Sequence, residues 1–276
     1  MSSEGEETPE LLRSGKLAAA IDLNCDAGES FGPWHMGNDE ALIPLVTSVN
    51  IACCAHAGDP LVMRRTVELA RRNGVAVGAH PGYPDLQGFG RRALALSPEE
   101  VEASILAQIG ALSGMTRAGG VALEHVKAHG ALYNQASDDP LLAAAVARAV
   151  WAFDPHLILI ARSGSLQSTI GRDLGLTVAE EVFIDRGYDS GGRLLPRHEE
   201  GSVITDPDAV SARAADLTLR HGLHAADGTW LELRADTLCI HSDTPGAHLL
   251  AARLRVALTD LGTELLSLGR RPLSTS

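Results

Sequence analysis

No run of this chain is apolar for long enough to cross a bilayer, which takes about 20 residues, so no membrane span is expected. Positive charge is scarce. Lys and Arg number 23 against 35 Asp and Glu, a net charge of −12, which argues against nucleic acid and anionic membranes as partners. Cysteine is sparse too. Cys25, Cys53, Cys54 and Cys239 all fall inside expected strands and read as buried, reduced thiols. The apolar stretch 17–21 is too short for a signal peptide and Asp22 ends it, so a cytoplasmic location is expected. Three motifs are missing: the phosphate loop GxxxxGK[ST], the dinucleotide fingerprint GxGxxG and the nucleophile elbow GxSxG. A conventional ATP grip and serine-hydrolase chemistry are both disfavoured. No Pro/Ser/Gly linker or internal repeat divides the chain. One domain is expected over 17–276, after a polar, acidic and disordered extension over 1–16.

What is present begins with Ile21-Asp-Leu-Asn-Cys-Asp-Ala-Gly-Glu29. As a strand it places Asp22, Asn24 and Asp26 on one face and Ile21, Leu23 and Cys25 on the other. Three polar groups on one strand face are costly to bury unless they pair or bind something. The device recurs: His125, Lys127 and His129 share a parity, His56 and His80 close apolar runs, and His241 sits in Leu238-Cys-Ile-His-Ser-Asp243. Polar groups at the C-terminal ends of successive apolar strands are how an α/β enzyme builds its site.

Five helix starts pair a capping residue with proline: Asp59-Pro60, Ser97-Pro98, Asp139-Pro140, Asp206-Pro207 and Thr244-Pro245. Helices follow over 61–73, 99–112, 141–153, 208–220 and 246–261, with shorter ones over 38–46 and 165–174. Strands fit between them near 20–25, 48–55, 75–79, 121–128, 157–161, 180–184 and 237–241. Alternation of this kind predicts a mostly parallel sheet. Seven strands suit a closed (β/α) barrel, an open doubly wound sheet being the alternative. Residues 185–204 read as a long polar loop able to cover a site. Glu180 and Glu181 read as the solvated start of a strand. His35, His156, His198, His221, His224 and His248 read as surface or structural groups.

Six blocks in order resemble the LamB/YcsF family: IDLNCDAGES (21–30), NIACCAHAGDP (50–60), NGVAVGAHPGYPD (73–85) with FGR (89–91), HVKAHGALYNQ (125–135), EEVFIDRGY (180–188) and CIHSDTPGA (239–247). The chain departs from the family pattern at Cys54-Ala55, Ala128 and Ser242, none of which removes a polar group. The resemblance implies a seven-stranded barrel related to polysaccharide deacetylases. It implies the role of the A subunit in ATP-dependent 5-oxoprolinase, opening 5-oxo-L-proline to L-glutamate with ATP and Mg²⁺, beside separate B and C subunits.

Within that reading Asp26 or Asp22, with Asn24 beside them, activates water. His56 and His129 protonate the leaving nitrogen or steady the oxyanion. Lys127 and Arg91 clamp a carboxylate or phosphate, with Glu29, His80 and His241 also lining the substrate. Each has a plainer alternative. Asp22 can accept hydrogen bonds inside the barrel, Glu29 can lie on a loop surface, and Asp59 and Thr244 can be helix caps. Converging Asp and His also suit a metal-dependent amidohydrolase or deacetylase working without ATP. No His pair at helical spacing supports a metal, and none is assigned. A non-catalytic substrate-binding subunit is the third possibility.

Overall fold

A computed structural model describes residues 20–271; the extension expected over 1–16 lies outside the described residues. Six parallel strands follow one another around a barrel: β1 (Ala20–Ala27), β2 (Ser48–Ala52), β3 (Ala76–His80), β4 (Leu123–Lys127), β5 (Ile158–Arg162) and β6 (Val178–Phe183). A short antiparallel hairpin, β7 (Gly222–His224) with β8 (Trp230–Glu232), interrupts the series. Strand β9 (Thr237–Ile240) then pairs with both β6 and β1 and closes the barrel. A two-residue β10 (Glu264–Leu265) lies against the start of β1. The helices are α1 (Asp39–Leu42), α2 (Pro60–Asn73), α3 (Pro98–Ala118), α4 (Gly130–Asp138), α5 (Pro140–Phe153), α6 (Leu166–Asp173), α7 (Pro207–Arg220) and α8 (Ala247–Asp260). Among the described residues no helix is long and apolar enough to cross a membrane.

The local chemistry explains most of these boundaries. Asp59, Ser97, Asp139 and Asp206 each accept backbone N–H bonds at a helix start with proline in the first turn. At Ser97 the Glu100 side chain returns the bond, completing a capping box. Thr244 is a correction. It caps nothing; its hydroxyl donates to Asp185 Oδ2 at 2.8 Å, and α8 starts three residues later, after a left-handed Gly246. Cys53 and Cys54 are others: β2 ends at Ala52, so both lie beyond the strand, Cys53 still buried and Cys54 exposed in a left-handed turn with φ +69°.

The two strand faces do different work. Outward, Leu23, Cys25, Val49 and Val77 join Met63, Ile105, Ile109, Leu250 and Leu254 in one buried core beneath the helices. Burying a side chain such as Leu23 contributes about 1.5–3 kcal/mol. Inward, the middle of the barrel is polar. Gly78 makes room there, because a Cβ at that position would collide with the His125 ring.

Candidate active site

The inward residues of β1 sit at three depths. Asp22 is deepest, taking hydroxyl bonds from Thr47, Ser48 and Thr237 and lying away from the mouth. Burial pushes its carboxyl up to about 6 against the pull of those hydroxyls. Asn24 forms the middle layer, donating to Glu181 Oε1 at 3.0 Å and Thr237 Oγ1 at 2.7 Å while accepting from Asn50 at 2.7 Å. His125 meets Asn50 Oδ1 at 2.9 Å, and burial drives its ring down to about 3, so it is a neutral element of the core. Asp26 alone of the β1 triplet lines the cavity at the C-terminal mouth.

Asp26 is held by its neighbours. Oδ1 accepts from Asn50 at 2.9 Å and from the Lys127 ammonium at 3.0 Å, and Oδ2 faces His80 Nε2 at 3.4 Å. Burial works to raise this carboxyl, but the His80 ring and the ammonium outweigh it and hold it well below the usual range. Lys127 is itself buried, bridging Asp26 and Glu181 Oε1, the latter at 2.8 Å. Burial opposes its charge, yet Asp26, Cys239 and Glu181 raise its pKa well above the ordinary value.

Glu180 and Glu181 are both buried, correcting the expected solvated start of a strand. Glu181 points inward to Lys127, Asn24 and the Tyr133 hydroxyl, while Glu180 points outward to Ser163 and Arg172. A carboxylate at an inward strand position is sustainable when paired in this way.

The histidines form a group beside Asp26. His80, His129 and His56 come from the ends of β3 and β4 and from the turn after β2, and Glu29 from the turn after β1. His129 Nδ1 is 3.0 Å from His80 Nε2 and 3.6 Å from Glu29 Oε1, and the His56 and His129 rings stack at 3.8 Å. Glu29 is buried rather than on a loop surface. Burial and the charges of Asp26 and Asp243 push its carboxyl well above the usual range. Burial and the adjoining rings push His56 and His129 well below the ordinary imidazole value.

His241 also stands close to Asp26, in a cluster with Cys239. Its Nδ1 and backbone N–H meet the Asp185 carboxylate at 3.0 and 3.1 Å, and its ring stacks on Phe183. Burial opposes the Asp185 charge, but His241 holds that carboxyl below its ordinary value. With Nδ1 committed, Nε2 is the free nitrogen of a ring that lines the cavity.

This cavity has a volume of about 450 Å³, and the loop 185–204 forms one wall. Arg91, Arg162, Arg186, Arg193 and Arg197 surround it. Arg91 and Arg197 share Asp243, and Arg162 and Arg193 share Asp138. Arg186 is different. It is buried, donates to the Ser202 and Leu195 carbonyls, and pairs with no carboxylate among the described residues. Burial and the charge of Arg197 lower it to about 10.

The family model for LamB/YcsF matches residues 21–271, nearly all of the chain. The chain belongs to the LamB/YcsF family. It is 53% identical to the A subunit of 5-oxoprolinase from Syntrophobacter fumaroxidans, over 90% of this chain and 98% of that one. The LamB/YcsF barrel described above also resembles the crystal structure of a lactam utilization protein from Thermus thermophilus. That likeness has a TM-score of 0.85 and 48% identity, over 90% of this chain and all of that one. A T48 deacetylase matches with a TM-score of 0.50 and 13% identity over 91% and 89% of the two chains, a likeness of fold.

Of the residues singled out from the LamB/YcsF blocks, Asp26, His80, Arg91, Lys127, His129 and His241 line one cavity, with Glu29 and His56 behind its histidine wall. Asn24 lies one layer below and Asp22 two. Sequence reasoning passed over Asp185, Glu181, Arg186 and Tyr133. Glu181 shares the inward parity of Phe183, a signal that was present. Asp185 and Arg186 sit on an irregular loop, where no periodicity reports direction.

Proposed function

We propose that this chain is the lactam-opening A subunit of an ATP-dependent 5-oxoprolinase, converting 5-oxo-L-proline, ATP and water to L-glutamate, ADP and phosphate. The observation that carries the reading is a fixed anion, Asp26, lying within 4.8 Å of an Asp185-oriented histidine, His241, in an arginine-ringed cavity. The names of the relatives and the size of the cavity support the same substrate. No motif for gripping nucleotide is present, so ATP and Mg²⁺ act at the level of a complex with B and C subunits. The same composition favours a cytoplasmic place of action.

In the proposed sequence the γ-phosphoryl group of ATP is transferred to the lactam oxygen, giving a phosphorylated imidate. Water adds to that carbon while Asp26 Oδ2, the oxygen left free by Lys127 and Asn50, receives the proton. The proton taken by Asp26 passes to His241 Nε2, in the same cluster, which delivers it to the ring nitrogen as the carbon–nitrogen bond breaks. A second water releases phosphate from the acyl phosphate that remains. The histidine group beside Asp26 stands at the oxygen end, where negative charge develops. Arg186 and Arg91 receive the substrate carboxylate or the phosphoryl group.

Glutamate release from 5-oxo-L-proline with ATP and Mg²⁺ is expected only when this chain is mixed with its B and C subunits. A verified complex that releases none overturns the proposal. Release by the isolated chain without ATP, lost on chelation, turns it into a metal-dependent amidohydrolase. Arg186→Lys is expected to raise KM by roughly 10–100-fold, the worth of a charge-assisted hydrogen bond. An unchanged KM removes Arg186 from substrate binding.

A further inference from the structure

Two backbone carbonyls decide where the protons of two buried rings lie. His80 Nδ1 is 2.8 Å from the Lys127 carbonyl, and His129 Nε2 is 2.8 Å from the Phe89 carbonyl. A carbonyl only accepts, so each of these nitrogens carries the N–H. The remaining nitrogens, His80 Nε2 and His129 Nδ1, then face each other with lone pairs across 3.0 Å. Two neutral rings gain nothing from that contact; a positive charge between or beside them is required.

The neighbours ask for the same thing. His56 is fully buried, and neither of its ring nitrogens has a hydrogen-bond partner among the described residues. An unpaired buried polar group costs about 1–3 kcal/mol. Glu29 Oε1 lies 3.6 Å from His129 Nδ1 and 4.0 Å from His56 Nε2. One ligand atom from each of Glu29, His56, His80 and His129 falls within 4.8 Å of all the others. Four ligands around a tetrahedral ion with bonds of about 2.0–2.1 Å stand about 3.3 Å apart. The observed spacings of 3.0, 3.6 and 4.0 Å straddle that value. Glycine keeps the cradle open. A Cβ at Gly82 would lie 2.7 Å from His56 Nδ1, and one at Gly90 would lie 2.8 Å from His56 Cβ.

We propose that Glu29, His56, His80 and His129 form a binding site for one divalent transition-metal cation of the imidazole-preferring class, zinc foremost. A proton shared by His80 and His129 would answer that pair alone; a cation answers all four groups. The site adjoins Asp26, whose Oδ2 is 3.4 Å from His80 Nε2. A bound cation supplies Lewis acidity at the end of the cavity assigned above to the developing oxyanion. Cation binding is measurable without turnover, so it stands or falls separately from the lactam reading.

The test is made on the full chain after chelation and dialysis. Titration with Zn²⁺ is followed by calorimetry, and with Co²⁺ by its visible d–d absorption. One ion per chain is expected, with a tetrahedral Co²⁺ spectrum and a raised melting temperature. His56→Gln and Glu29→Gln, each checked for fold by circular dichroism, should weaken binding by more than the roughly 10–100-fold lost with an outer-shell partner. His156→Ala, at an exposed position, should leave it unchanged. The inference is overturned if the folded wild-type chain binds no ion, or if both variants bind as wild type does. It is also overturned if Cys239→Ser abolishes binding while they do not, which would place the ion at Asp26, Cys239 and His241.

Discussion

Asp26→Asn is expected to lower turnover of the reconstituted complex by roughly 10²–10⁴, the range for loss of a general base. The amide keeps the shape and the contact with Asn50 but offers no anion to the water or to Lys127. The informative control is Asp22→Asn, four residues earlier on the same strand face. Asp22 spends its oxygens on Thr47, Ser48 and Thr237, so its replacement leaves buried hydroxyls short of an acceptor. That costs stability, about 1–3 kcal/mol, while turnover per folded molecule stays within a factor of about three. Parallel measurement of kcat and urea unfolding on both variants separates the roles. An Asp26→Asn enzyme within threefold of wild type would remove Asp26 from proton transfer, and a collapse of kcat in folded Asp22→Asn would return Asp22 to the chemistry.

These two aspartates show how far a sequence can be read. Strand parity put Asp22, Asn24 and Asp26 on one face, and they do share the barrel interior. Parity carries no information about depth, because depth depends on where the barrel mouth falls along the strand. Helix starts with a capping residue and proline were legible because the signal is local: four of the five cap as expected. Thr244 failed because a tertiary partner, Asp185, claims its hydroxyl. Helix α4 was missed for the opposite reason. It starts at Gly130 behind His129, whose side chain makes no cap bond, so nothing local marks the start. Yet α4 delivers Tyr133 to Glu181 and Asp138 to two arginines. Glu181 was misread because a glutamate at a strand start is ordinarily solvated. Only the approach of Lys127 from β4, two strands away around the barrel, makes its burial tolerable.

Lys127→Met is expected to destabilise the fold by about 3–5 kcal/mol, the cost of leaving a buried ion pair without one partner. The methionine fills similar volume, so the loss reports charge rather than a cavity. It strands two buried carboxylates, Asp26 and Glu181, which the ammonium holds at 3.0 and 2.8 Å. Glu181→Gln is the milder change, since Lys127 keeps Asp26 as a partner. The double variant should cost less than the sum of the two, with a coupling of roughly 0.5–3 kcal/mol by urea unfolding. A loss below about 1 kcal/mol for Lys127→Met would mean that the barrel interior accepts an apolar side chain without penalty. Stability could then be raised by filling the core with hydrophobes, and the polar layers would have no structural reason to exist. A loss of the expected size has the opposite meaning. The Lys127 that holds Asp26 ionised at the cavity also neutralises Glu181 in the layer below, so the charge arrangement of the candidate site and the integrity of the barrel rest on one side chain.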